Sequence, residues 1–107
     1  MTSSTAFFPK FSLAGQCALI TGSARGLGWC AAHALAGCGA HVLINGRQAS
    51  AVDKAVQTLK AEGLAASALP FDVTDDDAAE TAFARIDAEF GRLDILVNNV
   101  GMRLRKT

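Results

Sequence analysis

The sequence has no tyrosine, few aromatic residues, three cysteines and no net charge over 107 residues. Each shortage excludes something. Without tyrosine, no phenolic hydroxyl is on hand to serve as a tuned general acid. Cys17, Cys30 and Cys38 are odd in number and form no C-x-x-C pair, which fits neither a disulfide framework nor a zinc site. They are expected as small buried hydrophobes in a reducing compartment. His33 and His41 have no ligand cluster around them in the sequence, so both are expected in structural or surface roles. Ten Lys plus Arg balance ten Asp plus Glu, which leaves no long-range field to attract nucleic acid or an anionic membrane. Long apolar runs are missing too. Pro9 and Lys10 separate Phe7 and Phe8 from Phe11, so the N-terminus lacks the core of a signal peptide, and no later run would span a bilayer. The expected location is cytoplasmic.

What is present is a pattern. Half the residues are hydrophobic, enough for one compact domain. Apolar runs at CALIT (17–21), HVLIN (41–45), ASALPF (66–71) and LDILVN (93–98) alternate with longer helical stretches, predicting four strands and three helices. The first helix is expected over 26–36 with Leu27, Ala31, Ala34 and Leu35 on one face. The second, over 49–62, repeats Val52, Ala55, Val56 and Leu59 and stops at Gly63. In the third, Thr74 would cap with Asp77, Asp75 and Asp76 would favour the helix start, Ala79, Phe83, Ile86 and Phe90 would be buried, and Gly91 would close it. The run DDD at 75–77 is therefore a helix start and not a metal site.

Strands that are apolar throughout and alternate with helices indicate an α/β fold with a parallel sheet covered on both faces. Right-handed crossovers put the first two helices on one face, and a reversal after strand 3 gives the doubly wound order 3-2-1-4, an incomplete Rossmann arrangement. The ligand crevice then lies beyond the C-terminal ends of strands 1 and 4.

TGSARGLG (21–28) leaves the end of strand 1 and enters the first helix. Backbone N–H groups at a helix start can hold a pyrophosphate, provided side chains do not block its approach. Gly22 permits the sharp turn, while Gly26 and Gly28 allow close approach and tight helix packing. A second register, Gly26, Gly28 and Ala31, begins too far beyond the strand to be preferred. No Lys-Ser or Lys-Thr follows, which argues against a P-loop.

TGSARGLG, NGR (45–47), DV (72–73) and NNVG (98–101), in that order, resemble the short-chain dehydrogenase/reductase family over nearly the whole chain, from Leu13 to Gly101. Val100 departs from the family's usual NNAG. The resemblance implies a dinucleotide cradle of Gly22, Ser23, Arg25, Gly26, Leu27 and Gly28. It places Asn45, Gly46 and Arg47 at the end of strand 2, Asp72 on the adenine amino group, the Val73 backbone at the ring edge, and Asn99 and Gly101 along the ribose and nicotinamide. Asn98 would tie strand 4 to its neighbours. NAD-preferring relatives carry an acid where Gly46 stands. Here Gly46 leaves space, and Arg47 with Arg25 could grip a 2′-phosphate, so NADP is expected over NAD.

In this family a Tyr exchanges the proton with the substrate oxygen, a Lys four residues later lowers its pKa, and Ser and Asn assist. None of these roles can be assigned here; Lys54 and Lys60 belong to the second helix. The chain is thus expected to be the N-terminal part of one dinucleotide-binding domain, with an arm at 1–12 and a stub at 102–107, inactive alone. Arg103, Arg105 and Lys106 resemble basic residues found in members that act on sugar acids, implying a gluconate-like alcohol or ketone for the complete enzyme. Strand 4, left as an apolar edge, predicts self-association or a completing chain. The alternative is a non-catalytic nucleotide-binding or interaction fragment. A flavodoxin-like domain shares the alternation but not the glycine loop or NNVG.

Overall fold

The structure, a computed structural model, describes residues 12–99. The expectations for the N-terminal arm, Val100, Gly101 and the basic residues 103–106 fall outside these residues. Four strands, β1 (Cys17–Ile20), β2 (His41–Ile44), β3 (Ala66–Ala68) and β4 (Ile95–Val97), alternate with α1 (Gly26–Gly37), α2 (Ala49–Ala61) and α3 (Asp76–Phe90). All pairings are parallel and the order is β3-β2-β1-β4, with Ile20 beside both Ile44 and Val97. The reversal expected after β3 is therefore present.

The strands show why their sequences do not alternate. Ala18, Ile20, Val42 and Ile44 face one core with Ala32, Ala36, Val52, Val56 and Leu59 from α1 and α2. Cys17, Leu19 and Leu43 face a second core with Leu69 and with Ala82 and Ile86 from α3. A central strand covered on both sides must be apolar at every position. The edges of the elements are shorter than the apolar runs: Thr21, Asn45, Phe71, Leu93 and Asn98 lie outside the strands.

α2 buries the four residues expected of it, and Gly63 follows its end at φ +81°. α1 does not follow its expected face. Its buried line is Gly28, Ala32 and Ala36, while Leu27 is 79% exposed and Ala34 is also exposed. The helix is apolar almost all round, so periodicity could not choose a face. Small residues four apart won because they let the helix approach the sheet closely.

α3 also differs at two points. Its N-cap is Asp75, whose carboxylate accepts from the Ala78 N–H at 3.1 Å. Thr74 is not the cap; its hydroxyl donates to Asp72 Oδ1 at 2.6 Å. Ala82 and Ile86 form the buried contact and Phe83 is exposed, because the face four residues apart fits the Leu19–Leu43–Leu69 surface. Gly91 ends the helix at φ +70° as expected.

The cysteines require a correction. Cys17 is buried in β1, but Cys30 lies on the exposed side of α1 and Cys38 is half-buried after its end. Burial tendency does not decide a position on a helix whose other side already supplies the contact. His33 pairs with Glu62 at 2.7 Å across α1 and the end of α2, and His41 pairs with Ser67 at 2.8 Å. No helix among the described residues is long and apolar enough to cross a membrane.

Candidate functional site

The glycine loop rises at the C-terminal end of the two central strands. Gly22 and Gly26 have φ of +60° and +66°, a backbone region that side chains disfavour. Gly28 is needed for another reason: a Cβ there would collide with the Gly22 carbonyl oxygen and lie 3.0 Å from Asn99 Nδ2. The first turn of α1 therefore sits directly against the turn that leaves β1.

The α1 start carries a free positive end. Arg25 is its N-cap in extended backbone, no side chain caps it, and no acidic residue occupies its first turn. α3 is the opposite case, with the Asp75 cap and Asp76 and Asp77 in the first turn. Side chains thus neutralise one helix dipole and leave the other for an anion.

The end of β4 is strapped beneath the loop. Thr21 N–H donates to the Val97 carbonyl at 3.0 Å, and the Thr21 hydroxyl donates to Asn98 Oδ1 at 3.2 Å. Asn98 so joins β4 to β1, as the resemblance implied. Asn99 Nδ2 donates to the Gly22 carbonyl at 3.3 Å, which fixes the other end of the same turn.

Beyond β2 the chain passes close to the loop. A Cβ on Gly46 would lie 3.6 Å from Ala24 Cβ and 3.0 Å from Val52 Cγ2, so a larger residue would crowd α2. Arg47 follows, 79% exposed, with Nε 3.8 Å from Asp72 Oδ2. Asp72 is held as a carboxylate. Its Oδ1 accepts from both the Thr74 hydroxyl and the Thr74 N–H, and these bonds, with Arg47 nearby, keep its pKa below the usual carboxylate value.

The structure therefore brings Arg25, Gly26, Leu27, Gly46, Arg47 and Asp72 to one end of the sheet, and Val73 is half-buried. Two expected cradle residues are turned inward instead. Ser23 is 0% exposed and Asn45 is 1% exposed, so neither side chain presents surface to a ligand. The Ser23 hydroxyl accepts from the Asn45 N–H at 3.0 Å, and the Ser23 N–H donates to the Asn45 carbonyl at 2.8 Å. The Asn45 side chain joins three segments: Oδ1 accepts from Gly22 N–H at 3.0 Å, and Nδ2 donates to the Leu69 and Phe71 carbonyls at 3.1 Å each. Sequence reasoning missed this junction. Its signal was a lone amide at the end of an otherwise apolar strand. Gly101 lies outside the described residues.

A model of the short chain dehydrogenase family matches residues 16–107. Gluconate 5-dehydrogenase of Gluconobacter oxydans is 48% identical over 95 residues, covering 89% of this chain and 37% of its own length. The 5-keto-D-gluconate 5-reductase of Escherichia coli K12 is 43% identical over 95 residues, with the same two shares, 89% and 37%. Among solved structures, a gluconate 5-dehydrogenase from Burkholderia cenocepacia in complex with NADP and tartrate is 40% identical. It superposes with a TM-score of 0.78 over 83% of this chain and 35% of its own. This chain thus spans little more than a third of the length of the curated relatives it matches. With the family match over most of its residues, the chain belongs to the short chain dehydrogenase family.

Proposed function

We propose that this chain is the cofactor-binding portion of an NADP-dependent oxidoreductase that interconverts an alcohol and a carbonyl, acting in the complete enzyme on a gluconate-like sugar acid. The observation that carries the cofactor half is the Gly28 to Gly22 contact beneath an uncapped, acid-free helix start. A side chain at position 28 would strike the Gly22 carbonyl and force the turn away from the helix start. The pyrophosphate would lie on the first-turn N–H groups of α1, whose dipole favours it without a buried counter-ion. Arg25 and Arg47 would hold the 2′-phosphate by charge-assisted hydrogen bonds, with Gly46 leaving room. Asp72 would accept from the adenine amino group, the Val73 backbone would meet the ring edge, and Asn99 with Gly101 would line the path toward the nicotinamide. When bound, the cofactor supplies the acceptor or donor of the hydride.

The sugar-acid reading is supported by relatives named for gluconate and 5-ketogluconate and by Arg103, Arg105 and Lys106, whose charge suits a carboxylate. Proton exchange with substrate is assigned to none of the 107 residues, which include no tyrosine.

The single tryptophan, Trp29, lies in the first turn of α1 and provides the probe. Titration of the 107-residue chain is expected to change its fluorescence with NADP at concentrations at least tenfold below those needed with NAD, without turnover of gluconate or 5-ketogluconate. Equal or tighter NAD binding would refute the cofactor assignment. Turnover by this chain would refute the placement of proton transfer outside it.

A further inference from the structure

Asn45 is the most buried carboxamide described, and its three side-chain hydrogen bonds go to two different loops. One is the turn at Gly22, which shapes the pyrophosphate cradle. The other is the segment from Leu69 to Phe71, which leads into Asp72. Between them stands Asn45, at the end of β2 and next to Gly46 and Arg47.

The amide is fixed by its partners. Its oxygen faces an N–H and its nitrogen faces two carbonyls, so only one orientation satisfies all of them. No other residue type of this size offers one acceptor and two donors together. A carboxylate would keep the bond to Gly22 but oppose two carbonyl oxygens, and a buried acceptor facing acceptors is costly. Further backbone bonds tighten the junction: Ser23 N–H to the Asn45 carbonyl at 2.8 Å, and Phe71 N–H to the Gly46 carbonyl at 3.1 Å.

We infer that Asn45 is a positioning residue: it never touches the dinucleotide, but sets the distance between the pyrophosphate turn and the adenine-side loop so that one ligand can engage both. The inference rests on the proposed dinucleotide function. Two loops that each bind part of a ligand gain from the linkage only when their separation is fixed before binding. A loose junction would leave both loops present and their combined affinity lost.

The test uses the whole chain with NADP as the probe. Asn45→Asp is expected to weaken NADP binding by tenfold or more. Val56→Ala, a buried substitution on α2 remote from both loops, should lower the melting temperature comparably and leave the dissociation constant within twofold. In the ligand-free chain, amide hydrogen exchange should quicken at Phe71 in Asn45→Asp, whose carboxylate keeps the Gly22 bond, and at both Gly22 and Phe71 in Asn45→Ala, which has neither the acceptor nor the donors. Should either variant fail to fold, Asn45→Ser, which puts one hydroxyl in place of the carboxamide, is measured in the same way. An unchanged NADP affinity, or an equal loss in Val56→Ala at matched stability, would overturn the inference. So would exchange at Gly22 that stays unchanged in Asn45→Ala. If the parent chain binds no dinucleotide, the proposed function fails, whereas the exchange at Gly22 and Phe71 still decides whether Asn45 couples the two loops.

Discussion

If the proposed function holds, the preference for NADP rests on Arg25 and Arg47, two guanidinium groups facing one phosphate. Each charge-assisted bond to the 2′-phosphate is worth about 1.5–3 kcal/mol, which is on the order of tenfold or more in affinity. Arg47→Ala should therefore weaken NADP binding by about tenfold or more and leave NAD nearly unchanged. Fluorescence titration of both cofactors reads the difference directly. Equal losses for NADP and NAD would assign Arg47 to general electrostatics. Gly28→Ala makes a different demand, because its new Cβ meets a backbone carbonyl that cannot rotate away. The expected result is a chain destabilised by about 1–3 kcal/mol, as in other overpacked sites, with NADP binding lost. Denaturant melts and the same titration check the two effects. The glycines were legible in the sequence because spacing from a strand end dictates where they sit, whereas the two arginines were legible only through the family resemblance. Ser23 and Asn45 were expected to bind the cofactor, but their side chains are buried supports, since only the three-dimensional approach of residues 69–71 gives the buried amide its partners.

The elements carry their own lesson about what a pattern can specify. α2 has a polar side and an apolar side, so its buried residues were readable; α1 has no polar side to exclude, and its contact face was decided by close packing of Gly28, Ala32 and Ala36. The start of α3 shows a competition between adjacent caps. Both Thr74 and Asp75 are suitable, but Asp72 takes the Thr74 hydroxyl and N–H, leaving the cap to Asp75. Asp75→Ala should therefore cost about 1 kcal/mol, lowering the melting temperature by several degrees, with NADP affinity kept. Thr74→Ala should cost less stability. A larger loss at Thr74 would reverse the assignment of the cap.

The junction of β4 with β1 adds a pH dependence. Asp94 accepts from Arg92 Nε and Nη2 and from the Cys17 N–H, all at 2.8 Å, and these donors hold its pKa below the ordinary value. A depressed folded-state pKa contributes stability that is present above the unfolded value, about 4, and is lost as pH falls through the folded one. Asp94→Asn should thus melt several degrees below the parent at pH 7, and the gap should narrow below about pH 4. A constant gap across that range would mean the carboxylate charge contributes nothing.

For the molecule as a whole, the two faces of the sheet are unequally covered. Among the described residues, α1 and α2 shield one core, while α3 alone covers the other. Ile95 and Val97 turn toward the better covered side, so Leu96 lies on the opposite face and is 53% exposed. Among the described residues, β4 pairs only with β1, and its outer edge is unmatched. An apolar strand edge of this kind favours pairing with another chain, and a charged residue placed on it opposes such pairing. The 107-residue chain is accordingly expected to self-associate, with a melting temperature that rises with protein concentration because the associated form binds only folded chains. Leu96→Lys should shift sedimentation toward the monomer and remove the concentration dependence. NADP affinity should be retained, because Leu96 lies on the face of the sheet opposite the one against which α1 packs. A monomer that melts at the same temperature across a hundredfold range of concentration would rule out association through this edge.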